Sequence, residues 1–182
     1  MPPCLKLPDL KYDGTGDPVE HLETYKNKVP CHSNESIIFT EEEASGLWHP
    51  HKHAIVVSLR IASRKVYKIL IDNGSSVDIL FRSTLNKMNL MGVKFEQIKS
   101  ELYGFTGDSV SSEGVLNLPV ELGTHPCQHI QFVNFVVVDC PSSYNAIIGR
   151  PTLNIIRAVT STYHLLVKFP TMGGIVALKG DH

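Results

Sequence analysis

Short apolar runs separated by turn-forming residues dominate this chain from residue 54 onward. Each run is about four to eight residues long and is bounded by Gly, Asn, Ser or Pro, a pattern typical of buried strands. The pattern predicts strands at 54–61, 66–71, 79–81, 98–105, 114–120, 132–138, 144–149 and 159–169. Helical signals predict only short helices, at 83–88 with Ser83 as the cap and after Pro151. We therefore expect an all-β domain with one or two short helices.

The strand predicted at 66–71 runs directly into an acidic residue, Asp72. Four turn formers follow it: Asn73, Gly74, Ser75 and Ser76. A carboxylate at the end of a buried strand is costly to bury unless it is paired or has a chemical role. In one interpretation, Asn73-Gly74 is the type I′ turn of a β-hairpin and Asp72 has no chemistry. In the other, the same residues form a functional loop around Asp72.

Two later segments also combine strand patterns with residues that suit a binding site. Residues 103–109 predict either an ordinary hairpin tip or a flexible flap that closes over a bound peptide. The apolar pair before Gly149 predicts a buried strand that ends there, and Pro151 suits the first turn of a helix. Arg150 lies between them, and we expect it to be buried and to need carboxylate or carbonyl partners.

The N-terminal part of the chain follows a different pattern. Asp17 and Pro18 suit the N-cap and the first position of a helix, and Glu20 completes a capping box. One short helix is therefore predicted in this part. The chain as a whole is predicted to divide into an N-terminal segment (1–30), a linker (31–52), the β domain (53–171) and a tail (172–182).

Three histidines alternate in the predicted linker: His49, His51 and His53. On a strand they would share one face, where imidazoles could ligate a metal. No fourth ligand is evident in the sequence, and exposed linker histidines are the simpler interpretation. We therefore expect no metal site.

Composition and charge narrow the classes of function. The chain has 182 residues, of which 42% are apolar, so one packed core is feasible. A net charge of −1 argues against nucleic-acid and membrane partners. No apolar run approaches the length of about 18 residues that spans a bilayer. The four cysteines form no Cys-x-x-Cys pair and no signal-peptide pattern is found, so we expect free thiols in a reducing, cytoplasmic setting.

Four segments occur in a defined order between residues 39 and 171. They are Asp72-Asn73-Gly74-Ser75-Ser76, the Gly104–Gly107 tip, residues 144–153, and Ser161-Thr162-Tyr163-His164-Leu165 before Lys168-Phe169-Pro170. Together they resemble the retropepsin-like aspartic protease region of a plant gypsy-class LTR retrotransposon Gag-Pol polyprotein. Tyr12-Asp13-Gly14-Thr15-Gly16-Asp17-Pro18, followed by His21-Leu22, is similar to the start of Gag in such elements. The resemblance therefore makes residues 1–30 a Gag remnant.

This resemblance implies a single-lobe, closed β-barrel of the acid-protease fold and an aspartic-type endopeptidase. Such enzymes activate a water molecule between two carboxylates, and this chain has one Asp-x-Gly, so a homodimer with Asp72 from each copy is implied. The implied catalytic residues are Asp72, Asn73 and Gly74, and the implied substrate-binding residues are Ser75, Gly104, Phe105, Thr106 and Gly107. The substrate would be the element's own polyprotein, and no cofactor is implied. Asp78 is expected to cap or pair locally rather than to act as the second acid.

One residue departs from the family pattern. Such proteases carry Thr or Ser after the catalytic Asp, whereas this chain has Asn73, whose amide cannot reproduce the same hydrogen bond across a dimer. We expect weak cleavage, or cleavage at acidic pH. The alternative is a catalytically silent interaction module, or the relic of a degraded retrotransposon.

Overall fold

The computed structural model describes residues 36–90, 101–103, 109–123 and 128–181. Within them, the strands are β1 (Val56–Ile61), β2 (Arg64–Ile71), β3 (Asp78–Phe81), β4 (Glu101–Tyr103), β5 (Ser109–Leu122), β6 (His129–Val138), β7 (Ala146–Ile148), β8 (Val159–Ser161), β9 (Leu166–Thr171) and β10 (Gly174–Lys179). Two short helices, α1 (Arg82–Met88) and α2 (Arg150–Ile155), and one 3₁₀ turn (Glu41–Ala44) accompany them. The predicted all-β class with one or two short helices is confirmed.

The larger sheet closes on itself. Its strand order is β1-β2-β7-β3-β6-β5-β4, and β1 also pairs with β5. The closing pairs are Arg60 with Glu121 and Ile61 with Val120, which leaves β4 attached outside a ring of six strands. Closure satisfies the backbone hydrogen-bonding groups that an open sheet edge would leave unpaired. The predicted closed β-barrel is confirmed.

The barrel interior is filled by one face of every strand in the ring. Each of these strands contributes at least one side chain that is 0% exposed: Ile61, Ile69, Leu80, Val120, Phe135, Val137 and Ala146. Successive side chains of a strand point to opposite faces, so the apolar runs of the sequence fill the interior at alternate positions. Burying a Val, Leu, Ile or Phe side chain contributes about 1.5–3 kcal/mol, which makes this cluster the main source of stability.

A second, smaller apolar cluster lies on the outer face of the same strands. Phe81, Val136 and Val138 are buried in it, and half-buried Ile79 and Ile147 pack against them. Leu80 belongs to the interior cluster while its neighbours Ile79 and Phe81 belong to the outer one, as strand alternation requires.

The first two strands form a hairpin. β1 and β2 pair antiparallel, with Ile61 opposite Arg64. The two residues between them, Ala62 and Ser63, have φ angles of 47° and 65°. Positive φ at both central residues is the requirement of a type I′ turn, whose twist matches the flanking strands.

A three-stranded sheet of order β10-β9-β8 packs against the barrel. Its central strand contributes Val167 and Phe169 to the interior cluster. The single strand predicted at 159–169 is in fact two strands, separated by a turn at which Leu165 has a φ of 50°. Residues 172–182, predicted as a tail, include β10, and the Asp181 N–H donates to the Val56 carbonyl at 2.6 Å.

The segment predicted as a linker contacts the same small sheet. Lys168 of β9 is 8% exposed, and its Nζ lies 2.5 Å from Glu43 Oε1 and 2.6 Å from the Ile38 carbonyl oxygen. The Lys168 hydrogen bond lowers the pKa of Glu43, and a second one from the Thr40 backbone acts in the same direction. These contacts fasten the residues around the 3₁₀ turn to the domain.

The linker histidines lie one after another, with tilted rings, and His49 stacks on Tyr163. The His49 ring lies 4.4 Å from the Tyr163 ring, and the His51 ring lies 4.9 Å from His49 and 5.6 Å from His53. His51 Nε2 is 3.2 Å from the Tyr163 carbonyl oxygen. In the part of the chain that the structure describes, no three His, Cys, Asp or Glu side chains are placed to hold a metal ion. No helix in the same part is long and apolar enough to cross a membrane.

Helix α1 begins one residue earlier than the sequence predicts. Phe81 is its N-cap residue and supplies no side-chain hydrogen bond, so the prediction of Ser83 as the cap is wrong. Asn89 ends the helix in the left-handed conformation, with a φ of 48°. Thr84, Leu85 and Met88 form its buried face. Packing of this face, rather than a capping side chain, therefore fixes the position of the helix.

Candidate active site

The loop that contains Asp72 does not connect neighbouring strands. β7 lies between β2 and β3, parallel to the first and antiparallel to the second. Ile147 is opposite Leu70 on one side and Ile79 on the other. Because a two-residue hairpin turn joins directly paired strands, the type I′ hairpin interpretation of Asn73-Gly74 is wrong.

Residues 72–74 form a tight turn around the Asp72 carboxylate. Asp72 Oδ1 accepts a hydrogen bond of 2.8 Å from the Gly74 N–H, and the Asp72 carbonyl accepts one of 3.2 Å from the Ser75 N–H. Asp72 is half-buried, whereas Asn73 and Gly74 are exposed. A Cβ atom on Gly74 would lie 3.1 Å from Asp72 Oδ1, so the small residue permits this close approach. The carboxylate is thus fixed by the backbone and remains accessible.

Ser75 shapes the next part of the loop. Its Oγ donates to the Val77 carbonyl at 2.8 Å, and its own carbonyl accepts the Arg150 N–H at 3.0 Å. The side chain is half-buried. Its hydroxyl is therefore used within the loop, and its role in substrate binding stays a prediction.

Three consecutive residues, 148–150, hold the loop at its beginning, middle and end, and we call them the clamp. The clamp makes three hydrogen bonds: Asp72 N–H to the Ile148 carbonyl (3.0 Å), Arg150 N–H to the Ser75 carbonyl (3.0 Å), and Gly149 N–H to Asp78 Oδ1 (2.7 Å). The clamp thereby connects the inserted strand β7 and the start of α2 to the loop. Gly149 allows this because a Cβ there would lie 2.3 Å from the Val77 carbonyl oxygen.

Asp78 is the structural feature of this site that sequence reasoning missed. It is 3% exposed, and its second oxygen, Oδ2, accepts a hydrogen bond of 2.8 Å from Thr152 Oγ1. The sequence predicts that Asp78 caps or pairs locally, and this prediction is wrong. Its partners Gly149 and Thr152 lie 71 and 74 residues away along the chain. Only the insertion of β7 beside β3 brings them together.

The buried Asp78 carboxyl is expected to make the domain lose stability as pH rises. Burial raises the pKa of Asp78, while its hydrogen bonds with Thr152 and Gly149 act in the opposite direction. A carboxyl whose pKa is higher in the folded than in the unfolded chain stabilises the fold fully below about pH 4, and this contribution disappears as pH rises through the folded pKa. The free energy of unfolding, measured against pH for wild type and Asp78→Asn, tests this. Wild type should have its largest relative advantage at the acidic end, and an advantage that grows with pH would contradict the prediction.

Arg150 is exposed, so the prediction of a buried arginine is wrong. It occupies the first position of α2, whose buried residues are Thr152 and Leu153. Its side chain therefore points away from the packed face of the helix, and the loop is held by its backbone N–H. The predicted flap residues Gly104, Phe105, Thr106 and Gly107 lie outside the described residues. The strands on either side of them, β4 and β5, pair antiparallel with Tyr103 opposite Ser109.

No family model and no curated protein sequence matches this chain. Among solved structures, the retroviral protease-like domain of Ddi1 from Leishmania major matches with a TM-score of 0.55 and 16% identity, covering 72% of this chain and 97% of that domain. EIAV protease in complex with the inhibitor HBY-793 matches with a TM-score of 0.45 and 18% identity, covering 63% of this chain and 99% of that chain. The similarity to the Ddi1 domain, at this level of identity, concerns the fold. Together with the closed ring of strands, it shows that the chain has a retropepsin-like, acid-protease fold.

Proposed function

We propose that this chain is an aspartic-type endopeptidase domain of a retrotransposon polyprotein. The observation that carries the proposal is the Asp72 loop, in which an accessible carboxylate is fixed by Gly74 and by the clamp within a retropepsin-like fold. The ordered motifs of the sequence support the same activity. They also support an origin in a plant gypsy-class element, with residues 1–30 as a Gag remnant.

The proposed reaction needs two carboxylates around one water molecule. Like charges at that separation cannot both ionise, so one acid keeps its proton and polarises the substrate carbonyl while the other accepts a proton from the attacking water. Asp78 cannot be the second acid, because it is buried and bound to Gly149 and Thr152. We therefore infer that a second copy of the chain supplies its own Asp72 across a two-fold axis.

Asn73 and Gly74 take different parts in this proposal. The Gly74 N–H orients the Asp72 carboxylate through the 2.8 Å hydrogen bond. Asn73 is exposed beside it, where its amide can donate and accept hydrogen bonds to the corresponding loop of the second copy. The Asn amide is longer than the Thr or Ser hydroxyl found at this position in similar proteases, so it would hydrogen-bond with a different geometry. We therefore expect a looser pair of loops and a weak enzyme.

The outer apolar cluster indicates which peptides would bind. Val77 belongs to the loop, Ile79 follows it on β3, and Ile147 on β7 is directly opposite Ile79. All three are half-buried, so part of their apolar surface, on the Asp72 loop and on the strands that follow and flank it, is open to substrate side chains. We propose cleavage between apolar residues of the polyprotein that contains this domain.

A site shared between two copies predicts that the cleavage rate depends on protein concentration. We expect the cleavage rate per chain to rise in proportion to protein concentration while the protein is mainly monomeric, and to level off once dimers predominate. Sedimentation velocity and cleavage of fluorogenic peptides with apolar residues on both sides of the scissile bond, measured on the same dilution series, test this. A rate per chain that stays constant where sedimentation shows monomers would refute the shared site. An inert chain that stays monomeric at every concentration would favour the silent interaction module.

A further inference from the structure

Helix α2 lacks the side chain that normally caps a helix start. Its N-cap residue is Gly149, which supplies no side-chain hydrogen bond. Gly149 cannot be replaced by a capping residue such as Ser or Asp, because any Cβ there would lie 2.3 Å from the Val77 carbonyl oxygen. The cap must therefore come from another part of the chain. Asp78 supplies it from β3, by accepting hydrogen bonds from the Gly149 N–H and from Thr152.

We propose that Asp78 is a positioning residue that holds Asp72 in its catalytic geometry through the clamp. This inference rests on the proposed endopeptidase function. Asp78 accepts a hydrogen bond from the N–H of the Ile148–Gly149 peptide unit, and the carbonyl of that same unit accepts one from Asp72. The next peptide unit donates its Arg150 N–H to the Ser75 carbonyl. The direction of the Asp72 carboxylate thus depends on a buried carboxyl at the other end of the loop. In this proposal Asp78 contacts neither the attacking water molecule nor the substrate peptide.

The cost of losing this support follows from how sharply catalysis depends on geometry. A misplacement of about 1 Å at a reacting group can reduce the rate roughly a hundredfold. In Asp78→Asn, one carboxylate oxygen is replaced by an amide nitrogen, which cannot accept a hydrogen bond from Thr152. We expect kcat to fall by about ten- to a hundredfold, while KM stays within about twofold because the peptide-binding surface is unchanged.

Thr152 offers a matched pair of milder substitutions. Thr152→Val removes the hydroxyl that donates to Asp78 Oδ2 and keeps the shape of the side chain, whereas Thr152→Ser keeps the hydroxyl. We expect Thr152→Val to reduce kcat in the same direction as Asp78→Asn, and Thr152→Ser to restore it. Val176→Ala, a truncation of a buried side chain in β10, serves as the control for reduced stability, because β10 takes no part in the clamp's three hydrogen bonds. It should lower the unfolding temperature and leave kcat unchanged.

Amide hydrogen exchange and peptide-cleavage kinetics on the full chain together test the proposal. In Asp78→Asn and Thr152→Val, the Asp72 and Arg150 amides should exchange at least about tenfold faster, while amides of β5 and β6 keep their protection. Unchanged kcat in both variants, or exchange that rises equally throughout the barrel, would overturn the positioning role. An inert wild type would overturn the proposed function instead, and the exchange of the Asp72 and Arg150 amides would still decide whether Asp78 holds the loop.

Discussion

An Asp72→Asn variant is expected to cleave peptides roughly a hundred- to ten-thousandfold more slowly than wild type, the range typical for loss of a general acid–base group. The substitution preserves the size of the side chain and still allows an oxygen to accept the Gly74 N–H, so the turn should persist. It removes the group that accepts a proton from water and that shares a proton with its counterpart. Steady-state cleavage of a fluorogenic peptide measures the effect.

Two controls make this prediction specific. Asp139→Asn changes the same chemical group at an exposed position after β6, and it should leave the cleavage rate unchanged. If subunits exchange freely, mixing equal amounts of wild type and Asp72→Asn should leave about a quarter of the dimers with two intact acids. Equal cleavage by wild type and Asp72→Asn would refute the proposed function. Half of the wild-type activity in the mixture would show that each chain acts alone.

The two turns of this barrel show where local sequence is informative and where it is not. Asn73-Gly74 has the composition of a type I′ hairpin turn, whereas Ala62-Ser63 does not. Of these two pairs, however, it is Ala62-Ser63 that forms such a turn. The difference arises because β7, more than sixty residues further along, inserts between β2 and β3. Pairing with a distant strand overrides the local turn preference, and the residues around the turn contain no information about that insertion.

The fold class was predictable because it depends on features that repeat along the chain. Apolar runs of strand length and their bounding turn residues located most of the strands, and the loop of Asp72 followed from its position at the end of one run. Asp78 and Arg150 could not be placed in this way. Whether a polar residue is buried depends on which distant backbone groups the topology brings beside it, so one proved buried and the other exposed.

Gly149→Ala is expected to have the largest effect on the structure of the site. The φ angle at Gly149 is −96°, so alanine is conformationally allowed, and the cost is steric. The added Cβ would lie 2.3 Å from the Val77 carbonyl oxygen and 3.1 Å from that of Ser75, both of them backbone atoms. The clamp must therefore move away from the loop. We expect a loss of about 3 kcal/mol in the free energy of unfolding, and at least a roughly hundredfold loss of cleavage.

A second glycine, Gly46, allows the effect of a steric clash to be compared with the effect of an unfavourable φ angle. Gly46 has a φ angle of 92°, and a Cβ there would meet no atom of the described residues within 4 Å beyond its chain neighbours, so Gly46→Ala suffers conformational strain without a clash. That strain should cost about 1 kcal/mol, with no effect on cleavage, because Gly46 lies outside the clamp and the loop. Chemical denaturation and cleavage assays of both variants make the comparison. Suppose that Gly149→Ala loses no more free energy of unfolding than Gly46→Ala and cleaves peptide at the wild-type rate. The clamp can then shift without effect, and close contact between residues 148–150 and the Asp72 loop is not what fixes the carboxylate.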